Sequence, residues 1–324
     1  MSKKKTAAKN PYTKKEQRGA SPSGFHFYHL YQCCPRKFFI KYLARIEPTH
    51  TAAPLISGAA FHEAKAVFYS THSLKKAVAK CEREIKSRKA EFYDSDRYEF
   101  DMLRYPLLLE KWIIKYGFDD LDNMNIHMLE EEISMPVPST ENFRMTMRAD
   151  LVFSYKGDKD IYVMDTKTSS HSIGLTQDTL YYGDQATTYI YGVSEKMKRP
   201  VRGLIADIAY WHKNSTSPDK IQCVRGDLIV RTPKQLKEFM LNVSAVFNEI
   251  SQKVNAFASG KYSEHLLFPR CTYYCMSYNK RCEYSDICRT QLSLKGRTPN
   301  GFRRTAKSKK ASFSAYTNDI EVIS

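Results

Sequence analysis

The chain has 324 residues, 42% hydrophobic and 13% aromatic, enough to bury a core in one large domain or two modest ones. No apolar run approaches the roughly eighteen residues that a membrane-spanning helix needs, which excludes that class of protein. Lys and Arg number 51 against 35 Asp and Glu, a formal net charge of +16.

Much of that excess sits at the two ends. Residues 1–19 carry seven Lys/Arg against one acid, and residues 289–324 carry eight against two. Polar, Lys- and Ser-rich ends of this kind are expected to be flexible basic arms, over 1–24 and 291–324, around a folded domain at 25–290. Flexible cationic arms favour polyanions, of which nucleic acid is the usual one; the other reading is a solubility tail. The start "MSKKKTAAKNPYTKKEQRGASPSG" lacks the apolar segment of a secretory signal. The expected location is therefore intracellular, in the cytoplasm or, for a phage gene, in that of the host, with no membrane association; protein partners are left open.

From residue 25 the first third reads as helical. "FHFYHLYQCCPRKFFIKYLARI" is aromatic-rich, with Pro35 placed to open a helix in its first turn. Residues 55–92 read as two helices, the first beginning near Ser57 or Gly58, and 98–118 continue the pattern. At residue 126 the character changes to short β-like runs, "IHMLEEEISMPV", "FRMTMRADLVFSY" and "DIYVMDTKT". A helix follows over 176–197, then two strands, "VRGLIADIAYW" and "IQCVRGDLIVR". A long helix over 232–260 comes next, with Thr232 as its N-cap and Pro233 at its first position.

Between two of the β runs, Gly157-Asp158 signals a two-residue hairpin loop, and that register sets Asp150 directly opposite Asp165. Opposed residues on one face stand about 4.5–5.5 Å apart at Cβ, so two carboxylates there repel unless a cation lies between them. Lys167, two residues on, shares the face of Asp165. A D…D-x-K set of this kind suits phosphodiester hydrolysis. The carboxylates hold Mg²⁺ or Mn²⁺, and the lysine stabilises developing negative charge or orients the attacking water. The bland reading is a solvated strand end.

"RADLVF" followed by "YVMDTKT" resembles the core of the PD-(D/E)XK nuclease superfamily. Three further segments resemble its RecB-like branch: "SGAAFHEAKAVF" its histidine helix, "DQATTYIYGV" its Q-x-x-x-Y motif, and "YQCCPRKFFIKYL" its N-terminal C-P-[RK] segment. The resemblance implies an α/β, restriction-endonuclease-like fold, a mixed central sheet flanked by helices with a helical N-terminal region and a Cys-rich C-terminal end. It implies His62, Asp150 and Asp165 as metal ligands, with Asp150, Asp165, Lys167, Gln185 and Tyr189 as catalytic residues. It also implies DNA as substrate, met as single-stranded or duplex ends, in recombination, repair or other DNA processing. The competing expectation is a non-catalytic nucleic-acid-binding protein that keeps the fold.

Eight cysteines are distributed unevenly: Cys33 and Cys34 near the start, Cys81 and Cys223 isolated, and Cys271, Cys275, Cys282 and Cys288 close together. In a reducing compartment such clusters bind metal more often than they form disulfides, and the isolated pair reads as ordinary buried thiols. The end of the cluster resembles iron–sulfur RecB-like nucleases, including CRISPR-adaptation and AddB-type enzymes. That resemblance implies a [4Fe–4S] cluster on Cys34, Cys275, Cys282 and Cys288. The six-residue gap between Cys275 and Cys282 is longer than usual and leaves Cys271 as a rival ligand, and four thiolates also suit zinc.

Overall fold

The computed structural model describes residues 24–305, apart from 141–142, 213–214, 216, 278–279, 291–293 and 295–297. Most of the two expected arms, 1–24 and 291–324, lies outside the described residues.

The helical N-terminal region is built as its sequence predicts. α1 (Phe25–Cys33) is followed at once by α2 (Pro35–Phe38), where Pro35 occupies the first turn and its missing N–H leaves no bond unmade. A wider π turn over Phe39–Leu43 leads into the short strand β1 (Ile46–Pro48). Next come α3 (Ala53–Thr71), α4 (Leu74–Ser87), α5 (Ser95–Trp112) and α6 (Phe118–Asn123). α3 starts before the expected Ser57–Gly58, because Pro54 fits its first turn. Ser57 is no cap; its buried hydroxyl donates to Asp101 Oδ2 at 2.7 Å.

Five strands follow: β2 (Met124–Pro136), β3 (Arg144–Tyr155), β4 (Ile161–Ser169), then β5 (Val201–Trp211) and β6 (Ile221–Ile229) after two helices. They form one sheet in sequence order, antiparallel throughout except for the parallel pair β4–β5. Parallel neighbours need a crossover, here supplied by α7 (Ile173–Tyr182) and α8 (Asp184–Met197). The single helix expected over 176–197 is thus two. Gly183 turns the chain between them with extended backbone, and a Cβ there would meet the Thr179 carbonyl oxygen at 2.5 Å.

α9 (Pro233–Ala258) begins with a complete capping box, Thr232 and Gln235 each satisfying the other's backbone N–H. The C-terminal end holds α10 (Glu264–Leu267), the two-residue strands β7 (Met276–Ser277) and β8 (Lys280–Arg281), α11 (Ser285–Thr290) and β9 (Phe302–Arg304). β9 lies within the stretch expected to be a flexible tail, and it pairs antiparallel with β1, Ile46 opposite Arg304 and Pro48 opposite Phe302.

Each face of the sheet carries its own core. On one, Val163, Leu204 and Ile208 pack against α1, α2, α8 and α9 through Phe27, Phe38, Val193 and Phe247. On the other, Phe153, Met164 and Ala209 meet Phe61 and Phe68 of α3 and Trp112 of α5. Burying one such aromatic or aliphatic side chain contributes about 1.5–3 kcal/mol. The result is the mixed α/β architecture, a five-stranded mixed sheet between helices, that the restriction-endonuclease-like expectation described.

The alternation of faces breaks within β2 and β3. Met128 and Ile133 of β2 enter the same core although an odd number of positions separates them, and so do Ala149 and Val152 of β3. A regular strand would put each pair on opposite faces. Between Met128 and Ile133 stands Glu130, in left-handed backbone at φ +49°. That conformation is rare for a residue with a Cβ and gathers at functional sites.

Candidate metal centre and active site

The hairpin that carries the two aspartates has the register expected of it. Leu151 pairs with Met164 and Val152 with Val163, so the next position sets Asp150 against Asp165. The connection is longer than the expected two residues: β3 ends at Tyr155 and β4 begins at Ile161, with Gly157 at φ +85°. It extends symmetrically about the same centre, so the pairing is unchanged. Asp150 Oδ2 accepts the Thr166 backbone N–H at 2.7 Å, which pins this carboxylate to β4 between Asp165 and Lys167.

Asp165 and Lys167 share a face and meet. Lys167 Nζ donates to Asp165 Oδ1 at 2.9 Å; Oδ2 lies 2.7 Å from the same nitrogen but out of line for a hydrogen bond. Asp165 is 1% exposed, and the Lys167 ammonium, close to both of its carboxylate oxygens, supplies its counter-charge in the metal-free protein. Burial pushes the Asp165 carboxyl above the ordinary range; Lys167 works against that and Asp150 adds to it.

His62 comes from α3, packed on the other side of the strands. Its Nδ1 lies 3.3 Å from Asp150 Oδ2 and 3.4 Å from Glu130 Oε1. These three side chains are the one group among the described residues with ligand atoms all within 4.8 Å of one another. Burial alone would lower the imidazole pKa, but Asp150 and then Glu130 overcome it and hold His62 up to about 10. Burial likewise opposes ionisation of Asp150, yet His62, Lys167 and the Thr166 amide bring it down to about 2. Burial raises Glu130, against the pull of His62.

Glu130 is the residue that strand periodicity does not reveal. It stands in the triplet Glu130-Glu131-Glu132, where alternation alone gives no reason to prefer one. In the β2–β3 register it falls between the pairs Leu129–Leu151 and Glu131–Ala149, hence opposite Asp150. A signal does exist: the triplet lies on the strand that precedes "RADLVF" and pairs with it. Only the left-handed backbone decides which of the three turns towards His62.

Gln185 and Tyr189 lie one turn apart on α8, Gln185 Nε2 3.3 Å from the Tyr189 hydroxyl. Burial, followed by the charges of Asp165 and Asp150, raises the Tyr189 phenol well above its usual range, so it borders the acidic group as a neutral hydroxyl. The break at Gly183 starts α8 just before Gln185 and so sets the aim of both side chains.

The residues fit a hard divalent cation. An imidazole nitrogen and two carboxylates converge in His62, Glu130 and Asp150, with the Asp165 carboxylate beside them, a donor set that suits a hard cation.

Four cysteines lie around the start of α2, without their sulfur atoms converging as the ligand atoms of His62, Glu130 and Asp150 do. Cys34 caps that helix, and Cys288 lies on α11. β7 and β8 fold the residues between Cys275 and Cys282 back on themselves, so that Cys282 N–H donates to Cys275 O at 2.9 Å. The long gap in sequence is thus closed in space. Burial, with Cys34, Cys282 and Cys275 as neighbours, pushes the Cys288 thiol up to about 11. Cys271 neighbours Cys33, and its carbonyl oxygen lies 3.9 Å from Cys275 Sγ. Cys81 and Cys223 are buried at 0% and 4% exposure in the core between α3, α5 and the sheet.

No helix among the described residues is long and apolar enough to cross a membrane. No curated protein matches the chain. A family model described as the PD-(D/E)XK nuclease superfamily matches residues 21–289. Because that match runs from just before α1 into α11 and takes in every strand of the central sheet, the chain belongs to the PD-(D/E)XK nuclease superfamily.

Proposed function

We propose that this chain is a Mg²⁺- or Mn²⁺-dependent deoxyribonuclease of the RecB-like branch, an exonuclease acting on single-stranded ends. The observation that carries the reading is the convergence of His62, Glu130 and Asp150 beside the Asp165–Lys167 pair. His62, Asp150 and Asp165 would hold the cation, with Glu130 as an added carboxylate. A bound divalent cation supplies Lewis-acid polarisation of the scissile phosphate and a water of lowered pKa. Lys167, 30% exposed, is placed to stabilise the negative charge that develops as the phosphodiester is attacked. Gln185 and Tyr189 offer a neutral amide and hydroxyl to orient the backbone or the water. Recombination, repair and other DNA processing inside the cell are the settings that match this chemistry.

Cys34, Cys275, Cys282 and Cys288 are proposed to hold a [4Fe–4S] cluster of structural role. Cys275 is favoured over Cys271 because the β7–β8 hairpin brings it beside Cys282. Zinc is the alternative metal. The test of the function is cleavage of end-labelled single-stranded and duplex oligonucleotides with Mg²⁺ or Mn²⁺, with Asp165→Asn as control. DNA binding with no cleavage under either metal would replace the enzyme by the non-catalytic binding protein.

A further inference from the structure

α1 has a buried side and an open one. Phe27, Tyr28 and Tyr31 face the core; the Tyr31 hydroxyl donates to Glu249 of α9 at 2.8 Å, and the Tyr28 hydroxyl to Asp184 Oδ2 at 3.1 Å. Asp184 opens α8 and directly precedes Gln185, so the second bond fixes α1 against the helix that lines the active site. The other side bears His26 and His29, both exposed, and half-buried Phe25. The Phe25 and His29 rings stack with centroids 5.1 Å apart and planes 14° from parallel, and His26 meets Phe25 edge-on at 5.5 Å. His29 Nε2 also contacts Cys33 Sγ at 3.3 Å, which holds the ring in place.

Charges of both signs act on this ring cluster. Lys167 and Lys41 act on His26, and Asp184, which holds the Tyr28 hydroxyl, acts on His29. The open side of α1 thus presents aromatic faces beside the helix that carries Gln185 and Tyr189, on a chain of formal net charge +16. A nucleic-acid strand offers the complement: bases with π faces on an anionic backbone.

We infer that Phe25 and His29, with His26 at their edge, form a ledge on which a nucleobase of the bound strand stacks. This rests on the nuclease reading and deepens it to a substrate class. A base inside a duplex already has both faces covered by its neighbours. A base in a single-stranded end has a face to offer, so the ledge selects unpaired ends without selecting sequence.

Binding is measured without divalent metal, so that nothing is cleaved, on single-stranded oligonucleotides that are intact or abasic near the end. The wild-type chain should bind the intact strand about 5- to 100-fold more tightly than the abasic one, the range that stacking of one base supplies. In Phe25→Ala and His29→Ala, both open positions, that preference should collapse towards unity, with the abasic strand bound as before. A 2-aminopurine at the same place should be quenched by the wild type and brighter with either variant. Undiminished preference for the intact strand in both variants overturns the ledge, even if cleavage proceeds. Loss of cleavage on every substrate with the preference retained overturns the nuclease reading and leaves the ledge standing.

Discussion

Glu130 and Asp150 stand opposite each other on β2 and β3, and His62 Nδ1 lies within 3.4 Å of both carboxylates. In the metal-free protein the imidazole therefore carries a proton between two acids. A metal that binds His62 must displace that proton, so metal binding and protonation compete.

The pH dependence follows in sign. The folded pKa of His62, about 10, lies above its unfolded value of 6.5. Its contribution to the stability of the metal-free protein is complete below about pH 6.5 and is lost as pH rises towards 10. Asp150 is depressed to about 2, so its contribution is complete above about pH 4 and is lost as pH falls towards 2. Mn²⁺ affinity should rise with pH between 6.5 and 10, with proton release on binding; calorimetry in buffers of different ionisation enthalpy reads both. A pH-independent affinity over that window would remove His62 from the ligand set.

Replacing Glu130 with Gln keeps the shape and removes the charge. Metal affinity should fall about 10- to 100-fold, the scale of lost support to a metal ligand. The His62 pKa of the metal-free protein should fall too, since one of its two carboxylates has gone, and NMR titration of the ring reports it. An unchanged ring titration would mean that Glu130 does not face His62 in solution.

Lys167→Ala should lower the cleavage rate about 10²- to 10³-fold, as expected when one group that stabilises developing charge is removed. Asp165→Ala should abolish cleavage and leave DNA binding intact or tighter, because a negative charge has left the site. Normal turnover by either purified variant is the outcome that rules the assignment out.

Ser at Cys34, Cys282 or Cys288 should remove iron and brown colour and lower the Tm, because ligands from both ends of the chain make metal binding part of folding. Cys81→Ser and Cys223→Ser should keep the iron. Of Cys271→Ser and Cys275→Ser, only the second should lose it, since Cys275 is the one that the hairpin sets beside Cys282. Stoichiometric zinc without iron after anaerobic purification would change the metal and leave the nuclease reading intact.

The basic ends divide by function. Removing 1–19 and 306–324 should flatten the salt dependence of DNA binding, by about 0.7–0.9 in the log–log slope for each phosphate that the arms no longer neutralise. Extending the C-terminal cut to 298 also removes β9 and should lower the Tm, which the shorter cut leaves alone.

The D…D-x-K hairpin is legible in the sequence because pairing depends on its centre, and Gly157-Asp158 marks that centre whatever the loop length. The α9 start is equally plain, since Thr232, Pro233 and Gln235 are local signals read over one turn. Glu130 is hidden for the opposite reason. Its role needs a backbone conformation that strand periodicity cannot express, among two identical neighbours. Gly183 does not announce a helix break because a lone glycine in a helical pattern is usually tolerated. β9 escapes a reading of the sequence because a three-residue strand in a basic stretch has no periodicity, and its partner lies at the other end of the chain.

The pairing of β1 with β9 has a consequence for synthesis. On the ribosome Ile46–Pro48 emerges about 250 residues before Phe302–Arg304, a wait of roughly 13–50 s at 5–20 residues per second. Throughout that interval β1 has no strand to pair with. The Tyr284 hydroxyl, which finally donates to Ile46 O at 3.1 Å, and Arg304, which donates to Ala44 O at 3.0 Å, follow those partners by 238 and 260 residues. Closure of the N-terminal region therefore waits on Phe302–Arg304, and a nascent chain that stops short of them keeps an open edge for quality control to recognise.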